Sequence, residues 1–438
     1  MPVTRLHAGL AYVDGRLAER VLLEIAGGRF TAVRPDSPAD DAERLPGLTL
    51  PGFANGHSHA FHRALRGRAQ QPGSFWSWRE QMYAVAATLS PDSYLALARA
   101  TYAEMALAGY TTVGEFHYLH HGPGGKPYAE ANAMSAALVQ AARDAGIRLT
   151  LLDTCYLAGG IDEPLDPVQR RFSDHTAEGW AARAAAFRPD PEFVRLGAAV
   201  HSVRAVPADQ LPVVVEWAAE RDAPLHVHLS EQRAENEACQ AAYGRTPTRL
   251  LADAGALGSR ATAVHATHLA PDDIPLLSGG FACFCPTTER DLADGIGPAR
   301  ALADAGVRLT LGSDGQAVID PFEEARALEN DERLAGGRRG NFSAAELLDT
   351  AAGHASLGWL DGGRIASGAP ADLVTVDLQS PRLAGIDDPL AAVLFAGSAA
   401  DVRQVIVGGR PIVRDGRHLL VDDVAGALRT AVAAVVGR

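Results

Sequence analysis

Lysine is almost missing from this chain of 438 residues: Lys126 is the only one, and arginine carries nearly all the positive charge. Acidic residues outnumber basic ones, 53 to 40, for a formal net charge of −13. That balance is unsuited to binding nucleic acid or an anionic membrane surface. Cysteine is scarce too, with only Cys155, Cys239, Cys283 and Cys285. The 47% of hydrophobic residues can build a large core without disulfides. Cys283 and Cys285 lie in Gly280-Phe-Ala-Cys-Phe-Cys-Pro286, which reads as a buried strand with two small thiols. No apolar run approaches the roughly 20 residues that span a bilayer. Met1-Pro-Val-Thr-Arg5 carries no apolar leader. The expectation is a soluble cytoplasmic protein with no nucleic-acid or membrane partner.

What is present is order. Leu6–Val13, Val21–Ile25 and Phe30–Val33 read as short strands separated by Asp14-Gly15 and Gly27-Gly28, and so as a small antiparallel sheet. A polar connector, Asp36–Arg44, leads into an opening strand from Leu45 to His59. Strand-like and alanine-rich helical runs then alternate. The predicted strands are Phe53–Asn55, Thr111–His117, Arg148–Leu152, Arg195–His201, Pro224–Leu229, Ala261–His265, Phe281–Cys285 and Arg308–Asp314. Helices are expected at Pro91–Ala108, Ala131–Ala145, Ala208–Glu220, Pro247–Ala254 and Ala299–Ala305. Ser90-Pro91 supplies a cap followed by proline at the first helical position. Such alternation implies a parallel sheet, and eight units over about 260 residues match a (β/α)8 TIM-like barrel. A doubly wound open sheet is the alternative, but no G-x-G-x-x-G follows the first strand. Short strands return at Ala371–Asp377, Val402–Gly408 and Arg410–Arg414. The expected organisation is a small β-sandwich domain from both chain ends, 1–50 plus 365–438, around a barrel at 51–364.

The active face of such a barrel lies at the C-terminal ends of its strands. Here those ends are rich in polar chemistry: His57-Ser58-His59, Glu115-Phe-His117-Tyr118, His201-Ser-Val-Arg204, His226-Val-His228-Leu-Ser-Glu231, His265-Ala-Thr-His268 and Ser313-Asp314. A lone histidine in an apolar strand is ordinarily a satisfied core residue. Six such endings on one rim point to a site. Residues i and i+2 of a strand share a face, so His57 and His59 converge and can form half of a zinc shell. A strand-5 histidine and Asp314 add a third nitrogen and an oxygen, leaving room for water. His226 and His228 share a face, so spacing does not choose between them. His228 is nearer the mouth and Glu231 follows it, so His228 is taken as the ligand and His226 as structural. Barrel hydrolases with two metals often bridge them with a carboxylated strand lysine. Lys126 lies in the loop Gly122-Pro-Gly-Gly-Lys-Pro127, so one metal is expected.

The H-x-H pair, the strand-5 His-x-x-Glu, the strand-6 His and the strand-8 Asp together resemble the amidohydrolase superfamily in its mononuclear deaminase branch. Further stretches are similar to the members of that branch that act on a formimino amino acid. They are His57–Phe61, Phe75-Trp-Ser-Trp-Arg-Glu-Gln-Met-Tyr83, Glu115–His121, Val264–Leu269 and Cys285-Pro-Thr-Thr-Glu289 followed by Asp294-Gly-Ile296. The resemblance implies hydrolytic deamination of N-formimino-L-glutamate to N-formyl-L-glutamate and ammonia, a step of histidine degradation. It implies one Zn2+, or another divalent transition metal, on His57, His59, His228 and Asp314. Glu231, His265 and Asp314 would be catalytic. Arg79, Tyr118, His201 and Arg204 would hold the substrate, a small dicarboxylate amidine, and relatives suggest a homodimer. Two arginines suit that substrate, because guanidinium binds carboxylate bidentately.

Two positions depart from the family pattern. His62 stands where glutamine is common, and Gly315-Gln316 follows Asp314 where Ser-His is usual. Both are expected near the pocket, and His62 can still donate one hydrogen bond to a carboxylate. The competing expectation is a deaminase of the same fold for another formimino acid, a nucleobase or a triazine. A scaffold that had lost its chemistry should lack a ligand, and none is missing.

Overall fold

The structure is a computed structural model that describes residues 3–68, 70, 73 and 75–437, without the side chains of Phe75 and Trp76. The described residues form two eight-stranded sheets. β1 (Thr4–Val13), β2 (Arg16–Ala26) and β3 (Arg29–Arg34) are antiparallel neighbours, and β4 (Glu43–Pro51) runs parallel to β1. β5 (Phe53–Ser58), β6 (Tyr110–His117), β7 (Arg148–Cys155), β8 (Val194–Val200), β9 (Leu225–Leu229), β10 (Ala261–His265), β11 (Phe281–Phe284) and β12 (Arg308–Leu311) pair in parallel in chain order. β13 (Leu373–Val376), β14 (Val402–Val407), β15 (Arg410–Arg414) and β16 (Arg417–His418) return to the first sheet, where β13 pairs with β4. That sheet runs β16-β15-β14-β13-β4-β1-β2-β3, so strands from both chain ends make one mixed sheet. Leu6, Ala8, Leu23, Phe30, Leu373 and Ile406 belong to a core of its own.

One expectation changes. The run from Leu45 to His59 is two strands, one in each sheet, broken at Gly52. Glycine is required at the break: a Cβ there would stand 2.3 Å from the Thr111 side chain. The alternating apolar pattern runs through both halves, so periodicity alone could not locate the change of sheet.

The parallel sheet curls into a barrel. Among the described residues the one main-chain bridge between its edges joins Ser58 to Asp314. β5 and β6 are buried along their whole length, as expected when helices cover one face and the barrel interior the other. The helix Pro91–Leu107 starts where predicted, with Ser90 and Ser93 exchanging a capping box. It buries Tyr94, Leu97, Tyr102 and Met105. The C-terminal helix Val424–Val436 packs along it, and the Thr88 hydroxyl donates to the Val435 carbonyl at 2.9 Å. No helix of the described residues is long and apolar enough to cross a membrane.

Candidate active site

Three imidazoles and a carboxylate meet at the rim of the barrel. His57 Nε2 lies 3.1 Å from His59 Nε2 and 3.1 Å from His228 Nε2. Asp314 Oδ1 lies 3.5 Å from His57 Nε2 and 3.4 Å from His59 Nε2. The tautomers of two rings follow from their other nitrogens. His59 Nδ1 donates to the Phe116 carbonyl and His228 Nδ1 to the His201 carbonyl, each at 2.9 Å. A carbonyl only accepts, so Nδ1 holds the proton and each Nε2 presents a lone pair. Burial lowers the pKa of all three rings, that of His57 to about 3, which keeps them neutral. Lone pairs and a carboxylate facing one another at these distances form a donor set for a cation. The donor set of three nitrogens and one oxygen suits zinc or a similar divalent metal.

Local sequence makes the convergence possible. Gly312 lets the last strand approach the first: a Cβ there would stand 2.7 Å from the His57 carbonyl. The Asp314 N–H donates to that same carbonyl at 3.0 Å. Ser230, His265 and Asp314 have positive φ, at 50°, 68° and 38°. Left-handed backbone at non-glycine residues costs about 1–3 kcal/mol each and gathers at functional sites.

Around the donors stand further titratable groups. His265 Nε2 is 3.7 Å from Asp314 Oδ2 and 3.9 Å from Glu231 Oε1. Its Nδ1 lies 3.2 Å from Glu289 Oε1. Burial works against a charge on His265, but Glu231, Glu289 and Asp314 outweigh it and raise the ring well above its ordinary pKa. Burial raises the Glu231 carboxyl, with His265 and Arg204 opposing. A buried acid of raised pKa beside an open cavity is suited to carrying a proton.

A cavity open to solvent lies above these groups. His59, His62, Arg79, Tyr118, His201, Arg204, His228, Glu231, His265 and Asp314 all line it. His62 Nε2 pairs with the Tyr118 hydroxyl at 3.0 Å. Arg79 stacks over the Tyr83 ring at 5.5 Å. Arg204 is partly committed: its Nε donates to Glu235 at 2.6 Å, and its Nη2 is 3.5 Å from Glu231. His226 lies deeper, 2.9 Å from the Ser356 carbonyl.

Some polar strand ends do not reach this space. His117, Glu115, His268 and Gln316 are absent from the cavity lining. Gln316 is fully buried behind Asp314, so the second departure lies outside the pocket wall. The first departure, His62, is in it. Phe75 and Trp76, from the aromatic stretch of the resemblance, have side chains outside the described residues, whereas Trp78 and Tyr83 line the cavity. Sequence reading missed Tyr156, Phe172 and Glu235, and it quoted Glu289 in a family-like stretch without giving it a role. Tyr156 was missed because the third strand extends to Cys155, beyond the predicted Leu152. Glu235 follows Glu231 by four residues, a spacing that could have flagged it.

The amidohydrolase family model matches residues 48–412. The chain is 41% identical to a formimidoylglutamate deiminase of Pseudomonas aeruginosa over 95% of this chain and 96% of that protein. An amidohydrolase structure from Brucella melitensis superposes with a TM-score of 0.89 at 35% identity, covering 99% of this chain and 100% of that one. An adenosine deaminase structure from Xanthomonas campestris with bound zinc gives 0.86 at 25% identity, with 99% of each chain covered. With a barrel, a donor set on its rim and a family match across most of its length, this chain belongs to the amidohydrolase family.

Proposed function

We propose that the protein hydrolyses the formimino group of N-formimino-L-glutamate, releasing ammonia and N-formyl-L-glutamate. The observation that carries this reading is one cavity lined by three of the four metal donors, His59, His228 and Asp314, with His57 directly behind them, and by two arginines. The likeness to a formimidoylglutamate deiminase supports the same substrate. His57, His59, His228 and Asp314 would hold one divalent cation, in our reading zinc. Such an ion, when bound, supplies a water of lowered pKa and charge stabilisation for a tetrahedral carbon.

The chain's own residues supply the rest. Asp314 orients the attacking water and takes up its proton, and His265, held charged by the surrounding carboxylates, donates to the oxygen as negative charge develops on it. Glu231, within 4 Å of His265, passes a proton to the amidine nitrogen so that it leaves as ammonia. Arg79 and Arg204 hold the two carboxylates, a role guanidinium performs well in a low-dielectric pocket. Tyr118, His62 and His201 complete the polar wall. His62 is neutral, because burial and neighbouring imidazoles lower its pKa. It therefore acts as a hydrogen-bond partner and contributes no charge.

The test is ammonia release by purified, metal-loaded protein offered N-formimino-L-glutamate, N-formimino-L-aspartate and guanine in parallel. The glutamate compound should turn over fastest by kcat/KM. A higher value for the aspartate homologue would shift the assignment to a shorter acid, and for guanine to a nucleobase.

A further inference from the structure

Behind the donor cluster lies a second set of polar side chains, outside the cavity lining and unused in the chemistry above. Glu115 Oε1 accepts the Ala60 N–H at 2.7 Å, and its Oε2 accepts the Ser58 hydroxyl at 2.9 Å. The Gln316 amide donates to Ser58 Oγ at 3.0 Å and to the Asp314 carbonyl at 2.9 Å. That second contact fixes which end of the carboxamide is nitrogen, since a carbonyl only accepts. Gln316 Oε1 then accepts the Ser313 hydroxyl at 2.8 Å. Ser313 and Asn55 exchange two more bonds, at 2.6 and 3.0 Å. All five side chains are completely buried.

The place of this circuit matters. Ser58 lies between His57 and His59, and Ser313 precedes Asp314. Ser58 also registers with Glu115 on one side and Asp314 on the other. Its neighbours His57 and His59 face the donor cluster while Ser58 faces the circuit. This is the seam of the barrel, where one bridge takes the place of a ladder. Side chains therefore do there what main-chain pairing does between the other strands. A satisfied buried network is stiff, and an unpaired member is costly.

We propose that Glu115, Ser58 and Gln316 are positioning residues that hold Asp314 at the spacing from His57 and His59 that a divalent cation needs. The inference rests on the reading that His57, His59, His228 and Asp314 bind the metal. Groups of this kind, outside the ligand set, typically change metal affinity or activity by 10–100-fold when removed.

The test measures zinc affinity by competition with a chromogenic chelator at pH 8, for wild type, Ser58→Ala, Glu115→Gln and His59→Ala. KM for N-formimino-L-glutamate is then taken at saturating zinc. Ser58→Ala and Glu115→Gln should bind zinc about tenfold more weakly or worse, with KM at saturating zinc within about twofold of wild type. Wild-type zinc affinity in both variants, with only a lowered melting temperature of the metal-free protein, would overturn the inference. So would a KM that rises in step with the lost affinity, the mark of general distortion. If Glu115→Gln does not fold, Ser58→Ala decides. A His59→Ala protein that binds zinc as tightly as wild type would overturn the metal reading and this inference with it. Tight binding lost in His59→Ala alone would overturn this inference and leave the metal reading standing.

Discussion

Asp314 and His57 are joined at two levels: the Asp314 N–H donates to the His57 carbonyl at 3.0 Å, and the Asp314 carboxylate stands 3.5 Å from His57 Nε2. The first and last strands of the barrel thus close on two residues of the donor cluster, of which Asp314 lines the cavity and His57 is buried behind it. Gly312 makes the approach possible. Gly312→Ala should lower stability by about 1–3 kcal/mol in a denaturant titration and weaken zinc binding as well. Full stability and full affinity would show that the strand end has room to shift.

Glu231 lines the cavity but is not within reach of the histidine donors in the way Asp314 is. Glu231→Gln should reduce kcat by roughly 10²–10⁴-fold, the usual scale of general acid–base catalysis, with zinc per chain unchanged. Loss of zinc from that variant would make Glu231 a ligand.

Arg204 has two duties. It lines the cavity, and it neutralises the buried Glu235 through a 2.6 Å bond. Arg204→Ala should raise KM by about tenfold or more, as expected for losing a hydrogen bond to a charged group. It should also cost about 3 kcal/mol of stability, because it strands a buried carboxylate. A stability loss with unchanged KM would confine Arg204 to holding Glu235 and Glu231.

His120 gives a pH dependence. It is buried, with Nε2 donating to the Thr154 carbonyl at 2.9 Å, and burial, aided by Arg183, lowers its pKa from 6.5 to about 4. Between those values the unfolded chain binds a proton that the folded chain does not. Stability must therefore fall as pH falls through this window, and the contribution is complete above 6.5. The full effect is on the order of 3 kcal/mol. His120→Gln should flatten that part of the stability–pH curve relative to wild type. Parallel curves would show that the buried ring does not govern it.

Much of this was legible in the sequence because its signals are local. Alternation of strand and helix gave eight units, and the i, i+2 spacing of His57 and His59 gave a shared direction. The preference for His228 over His226 needed depth along the barrel, which period-two alternation cannot supply. The preference rested instead on position relative to Glu231. Long-range partners were out of reach. Nothing near Ser58 announces Glu115, 57 residues away, or Gln316, 258 residues away. Gln316 was expected near the pocket because it follows Asp314 by two residues. A left-handed backbone at both positions, φ 38° and 58°, instead accompanies a turn that buries the amide in the seam.

The most direct test of the account is activity against metal content. Metal-free protein would be reconstituted with increasing zinc, and ammonia release from N-formimino-L-glutamate measured at each step. The account expects activity to rise linearly and level off at one zinc per chain. Among the described residues the two donor groups with more than one member in the cavity wall, His57 with His59 and Asp314 and His57 with His228 and His265, share His57, and the only lysine lies in a loop. A plateau at two, or full activity in the metal-free protein, would contradict it.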